Sequence, residues 1–173
     1  MANKEALKEL QHRLAERMQA AREQPVTASW LAVEAAGVGL LFSLGQAAEI
    51  FTPVPMKAVP YAEPWLAGVA NLRGGLYTVV DLAAFLGLRE AGLAGSGTRL
   101  VTLNPELHMN CALQVDKLLG LRGNEQLQPD AGELPAGRPR YAGALMRDAE
   151  GRRWQVLDLE ALVRNERFVR IVV

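Results

Sequence analysis

One cysteine and two histidines among 173 residues leave little from which to build a metal centre. Cys111, His12 and His108 together cannot supply the four thiolate and imidazole ligands of a structural zinc site. A lone cysteine also excludes an internal disulfide. Net charge of one sign is missing as well: nineteen Lys and Arg face nineteen Asp and Glu. The counterion release that draws proteins to nucleic acid therefore has no global source. No apolar run reaches the ~20 residues of a membrane span. The longest charge-free stretch, between Glu34 and Glu49, is interrupted by Gly37, Gly39, Ser43 and Gly45. Its first residues, MANKEALKELQHRL, are charged where a secretory signal needs an apolar core, so a reducing cytoplasm is expected, without membrane insertion. Signatures of chemistry are absent too: no phosphate loop ending in Lys-Ser or Lys-Thr, no Gly-x-Ser-x-Gly, no His-Glu-x-x-His. Neither a catalytic residue nor a cofactor or metal ligand can be nominated, and Cys111, on the apolar face of its strand, reads as a small buried hydrophobe.

What is present is pattern. From Asn3 to about Arg22 no Gly or Pro intervenes, and Leu7, Leu10, Leu14, Met18 and Ala21 recur at three- and four-residue steps, which predicts an amphipathic helix ended by Gln24-Pro25. Beyond Thr27 the period becomes two. Val38, Leu40, Phe42 and Leu44 share one face, as do Met109, Cys111, Leu113 and Val115, which predicts half-buried strands. Four prolines in TPVPMKAVPYAEP make residues 52–64 an extended crossing loop. Glycine-rich breaks near residues 88–98 and 123–140 divide the remainder into strand-bearing blocks too short for separate domains. The expectation is an N-terminal helix and linker over 1–26 and one mainly β domain over 27–173, an antiparallel barrel or sandwich.

An internal echo sharpens this. Val79-Val80-Asp81-Leu82-Ala83-Ala84-Phe85-Leu86 aligns with Val156-Leu157-Asp158-Leu159-Glu160-Ala161-Leu162-Val163. In each copy a strand feeds an Asp, and apolar residues follow at the first, fourth and fifth positions. Asp81 and Asp158 are thus expected as N-caps, each accepting free N–H groups of a short helix and favoured there by its dipole.

The segment GVANLRGGLYTVVDLAAFLGL, residues 68–88, closely resembles the most characteristic stretch of CheW-like domains. Pro64, Trp65, Gly68, Val69, Asn71, Leu72, Arg73, Gly74, Val80, Asp81 and Leu82 match that family's pattern in order, and the likeness extends over residues 30–163. Gly75 and Thr78 depart from it, the first where a larger residue is common, the second where Pro is. The helix ahead of Ser29-Trp30 and the Val-rich tail after Phe168 are most similar to the PilI-type branch, which serves control of type IV pili and twitching. The resemblance implies two small five-stranded SH3-like barrels packed together. It also implies a non-enzymatic adaptor that couples the cytoplasmic tip of a chemoreceptor to the regulatory domain of a CheA-type histidine kinase, recruited to membrane receptor arrays through those partners. Arg73, Asn71, Gly68, Glu49, Val69, Leu72 and Gly74 are the implied partner-binding residues, near a receptor-facing region between the barrels. Arg73 would present a planar donor fork on a Gly-flanked turn or pair internally with Glu49, while Gly74 and Gly75 would supply unusual backbone angles. A flagellar chemotaxis adaptor is the alternative within the family; a small enzyme or ligand-binding barrel is the alternative outside it.

Overall fold

The computed structural model describes residues 8, 9, 11–13, 15, 16, 28–92 and 95–173. Of the expected N-terminal helix, the described residues 8, 9, 11–13, 15 and 16 are helical and exposed, and His12 Nε2 lies 3.7 Å from Glu16 Oε1 one turn on. Its apolar stripe, Leu7, Leu10, Leu14, Met18 and Ala21, lies outside the described residues.

The body is mainly β, in two sheets. Strands β1 (Ala28–Ala35), β2 (Val38–Ser43), β3 (Ala47–Phe51), β4 (Leu66–Leu72) and β5 (Gly75–Asp81) lead into helix α1 (Leu82–Phe85). Next come β6 (Arg99–Leu103), β7 (Cys111–Val115), β8 (Lys117–Gly123), β9 (Leu127–Pro129), β10 (Ala142–Asp148) and β11 (Arg153–Leu157), then α2 (Leu159–Val163) and α3 (Glu166–Val169). One sheet runs β8-β1-β2-β11-β10-β9 and the other β3-β6-β7-β5-β4.

Each sheet is curled so that one bent strand serves both its edges. In the first, β8 passes through the 3-10 turn Asn124–Gln126 into β9, which pairs with β10 at the opposite edge. Counted as one bent strand, β8 and β9 reduce the six to the five that were expected. In the second, the chain beyond β3 brings Lys57 against Val69 of β4, with two N–H···O bonds of 2.9 Å. Gly68 permits that approach: a Cβ there would stand 2.5 Å from the Lys57 carbonyl oxygen, and φ is +146°. The proline-rich loop is therefore extended, and it carries the bridge that closes the second barrel.

The topology explains the sequence echo. β1 and β2 pair, then the chain crosses to the other barrel for β3, the β4–β5 hairpin and α1; β6 and β7 pair, then the chain crosses back for β8–β9, the β10–β11 hairpin and α2. The matched strands also make matched parallel pairs, β5 with β7 and β11 with β2. Both Asp residues cap as expected. Asp81 Oδ1 accepts from Ala84 N at 3.3 Å, and Asp158 Oδ1 accepts from Glu160 N and Ala161 N at 3.0 and 3.1 Å.

β2 and β7 are not half-buried. β7 is buried at all five positions and β2 at its four central ones. One face of each looks into its own barrel, where Leu41 packs with Trp154 and Ala112 with Leu100. The other face meets the opposite barrel: Leu40, Phe42, Cys111, Leu113 and Val115 belong to one large core shared by both sheets. Trp65, Phe85, Phe168 and Tyr141 close one part of that core, with Trp65 and Phe85 edge to face at 5.1 Å and Trp65 and Phe168 stacked at 6.1 Å. Past α3, Val172 bridges Ala62.

Replacing Gly68 by Ala should break the barrel-closing bridge. A loss of about 2 kcal/mol in urea denaturation is expected, with faster amide exchange at Lys57 and Val69 and an unchanged far-ultraviolet spectrum. Wild-type stability would show that the bridge contributes nothing.

Candidate functional site

The seven residues singled out by the sequence all lie on the second barrel, but they divide by exposure. Gly68 and Leu72 are buried, Val69 is half-buried in the closing bridge, and Asn71, Arg73, Gly74 and Glu49 are exposed. Arg73-Gly74 is a two-residue hairpin turn between Leu72 and Gly75, with φ of +49° and +82° at its two positions. Both values are left-handed, as a turn matched to strand twist requires, and the glycine adopts its angle at no steric cost. Asn71 Oδ1 accepts from Gly74 N at 2.8 Å and holds the turn from below. Gly75 has another reason to be small. Its backbone is not left-handed, but a Cβ there would meet the Tyr77 ring at 2.9 Å. Thr78, the other departure from the family pattern, donates its N–H to Asn110 O at 3.0 Å, a bond proline could not make.

Arg73 does pair internally. Its Nη1 lies 2.7 Å from Glu49 Oε2, and its guanidinium stands 5.8 Å from the centre of the Phe51 ring. The pair is mostly in water, with side-chain exposures of 75% and 48%, so it contributes at most about 1 kcal/mol to folding. What it does is orient: the fork is held across the closed edge of the barrel while its remaining donors stay open to solvent.

Strand register exposes a feature that the sequence did not mark. Ile50, Val101, Leu113 and Val80 form one row across β3, β6, β7 and β5, ending beside Asp81. Leu121, Leu31, Phe42 and Leu157 form the matching row across β8, β1, β2 and β11, ending beside Asp158. The inner three of each row lie in the shared core. The outer ends, Ile50 and Leu121, are 42% and 54% exposed. A large aliphatic residue thus stands at the rim of each sheet, one of them beside Glu49. Leu121 could not be found from periodicity, because an irregular register between Ala32 and Val33 interrupts the alternation of β8.

Cys111 is buried, and burial pushes its thiol up to about 12, so it stays protonated and unreactive at neutral pH. Among the described residues no group of three or more His, Cys, Asp or Glu is placed to hold a metal ion, and no helix is long and apolar enough to cross a membrane.

Two half-repeats that exchange strands to form paired small barrels, each with an exposed aliphatic residue at its rim, define a two-barrel β-domain. The sequence model of the CheW-like domain matches residues 29–167, and the chain belongs to that family. It is similar to protein PilI of Pseudomonas aeruginosa, 27% identical over 159 residues that span 87% of this chain and 85% of the relative. Its fold is similar to the crystal structure of the scaffolding protein TtCheW from Thermoanaerobacter tengcongensis, with a TM-score of 0.62 at 15% identity, over 75% of this chain and 88% of the other.

The raised Cys111 thiol fixes a sign. The folded chain holds that proton more tightly than the unfolded chain, so stability is complete below the thiol's ordinary value and falls as pH rises towards 12. Urea midpoints from pH 8 to 11 should fall less steeply for Cys111→Ala than for wild type, and native Cys111 should resist iodoacetamide at pH 8. Parallel midpoint curves would refute this.

Proposed function

We propose that this protein is a non-enzymatic adaptor that couples a chemoreceptor to a CheA-type histidine kinase. The observation that carries the reading is the pair of matched rims: two exposed aliphatic row ends, one on each barrel, the first beside an Arg73 paired with Glu49 and the second beside an Arg122 that donates to Leu121 O at 3.0 Å. On this reading the rim of the second barrel, with Ile50, Glu49 and Arg73 held by Asn71 and Gly74, takes the cytoplasmic hairpin tip of the receptor. Gly68, Val69 and Leu72 serve the same surface from within, by closing the barrel beneath it. The rim of the first barrel, with Leu121, takes the SH3-like regulatory domain of the kinase.

Physical magnitudes support two simultaneous contacts. The chain exposes 11326 Å² of surface, and a standard interface takes roughly 800 Å² from each partner. A typical allosteric coupling is about 1 to 3 kcal/mol, which modest differential contact with two receptor states supplies without nucleotide or metal. The similarity to PilI favours a type IV pilus pathway. The chain acts in the cytoplasm and reaches membrane receptor arrays through its partners, with 27–173 as the coupling domain and 1–26 as an appended helix and linker.

Arg73→Glu should lower receptor capture at least about tenfold, a loss of ~1.4 kcal/mol, while kinase capture and the circular dichroism spectrum stay unchanged. Leu121→Asp should do the reverse. Wild-type protein that captures neither partner overturns the adaptor reading. Deleting the gene should abolish surface twitching and spare swimming; the opposite result assigns the chain to flagellar control.

A further inference from the structure

We infer that Gln46 and Arg89 are positioning residues: each clamps the N-cap of one short helix to a strand crossing, and together they set the angle between the two barrels. This rests on the adaptor reading for its functional consequence alone; the geometry stands apart from it.

The chain crosses between barrels twice, once between β2 and β3 and once between β7 and β8. Gln46 lies in the first crossing. Its backbone carbonyl accepts from Asn104 N at 2.8 Å, just past β6 in the second barrel. Its side chain reaches the first barrel, where Nε2 donates to Asp158 Oδ1 at 3.0 Å and Oε1 accepts from Leu159 N at 2.9 Å. One amide therefore satisfies both the cap and the first free N–H of α2.

Asp116 is the second crossing. Its backbone N donates to Glu34 O at 2.8 Å and its Oδ2 accepts from Ala36 N at 2.6 Å, both at the end of β1 in the first barrel. Arg89 then carries the contact to the second barrel. Nη2 donates to Asp116 Oδ1 at 2.9 Å and Nη1 to Asp81 Oδ2 at 2.7 Å, while the other oxygen of Asp81 caps α1. Asp81 is almost wholly buried, and the guanidinium is 28% exposed. Different chemistry, a neutral amide in one place and an ion triad in the other, fills matched positions in the swapped repeat. Neither group touches the Arg73 turn or the Leu121 rim in any described hydrogen bond or ion pair.

The shared apolar core keeps the barrels together, but apolar contact is non-directional and resists sliding weakly. Directional bonds at the two crossings supply what the core lacks. If receptor and kinase sit on opposite barrels, the angle between the barrels is the quantity one partner can transmit to the other.

The test uses the full chain with spin labels on Leu76→Cys and Leu121→Cys, one on each barrel; native Cys111 is buried and stays unlabelled. Pulsed dipolar spectroscopy should give one narrow inter-label distance. In Gln46→Ala/Arg89→Ala that distribution should shift or broaden, with each single substitution intermediate. Arg89→Lys should behave like Arg89→Ala, because a lysine ends in one nitrogen on a shorter side chain where Asp81 and Asp116 are held by two spaced nitrogens of a planar fork. In unlabelled protein the double variant should bind receptor and kinase separately within about twofold of wild type, yet lose about threefold or more of the receptor-dependent change in kinase activity. An unchanged distance distribution in a folded variant, full recovery with Arg89→Lys, or wild-type coupling overturns the inference. If the double variant fails to fold, Gln46→Ala alone decides by the same readouts. A shifted distribution in a chain that binds neither partner sustains the clamp and removes the adaptor reading.

Discussion

The constraint on which the rest of this structure depends is a shared apolar seam. A five-stranded barrel of this size encloses few side chains: the interior of the first is built around Ala32, Leu41, Leu127 and Trp154, and that of the second around Ala70, Leu72, Val79, Leu100 and Ala112. Cores of four or five buried residues cannot hold a barrel closed against chain entropy. Pressing the two sheets together buries a second face on β1, β2, β6 and β7 and creates a core larger than both interiors combined. Each barrel is folded because the other is there.

The crossings make the seam compulsory. Since β1–β2 and β6–β7 each lie in the barrel whose remaining strands come from the other half-repeat, neither half can fold as a unit. The closing devices are local. They comprise the turn at Asn124–Gln126, the Lys57–Val69 bridge beneath Gly68, and two capped helices whose Asp residues are tied back to the crossings through Gln46 and Arg89.

That architecture runs out of cover at two rims. Along each row of paired residues the inner three positions lie in the seam, and the fourth, Ile50 or Leu121, emerges at its rim. The same strand that buries the core thus ends in an exposed aliphatic residue, with the Arg73–Glu49 ion pair near one rim and Arg122 bonded to Leu121 O at the other. The match over residues 29–167 sets this chain among the CheW-like domains, and the PilI relative covers most of it. On the reading proposed above, the two rims would each receive a different partner at related places.

Much of this was legible from residues 68–88 and their echo near the C-terminus. Asp81 and Asp158 were placed as caps from the apolar spacing behind them, because capping is local chemistry read within four residues. Two-residue alternation identified Leu40 with Phe42 and Cys111 with Leu113 as facing one way. It could not tell that the opposite face was buried too, because burial is decided by the partner sheet. Gly75 is small because of packing against Tyr77, where an unusual backbone angle was expected, and Gly68 lies beneath the Lys57 bridge. What the sequence determined by itself was local pattern and its recurrence: the alternating strands, the caps at Asp81 and Asp158, the Gly-flanked turn at Arg73, and the repeat, while the Asn165-capped α3 went unread. The swap, the paired rims at Ile50 and Leu121, and the clamps of Gln46 and Arg89 were decided by tertiary structure alone. They join residues as distant along the chain as Phe42 and Leu157, and only the folded register brings such groups within reach of one another.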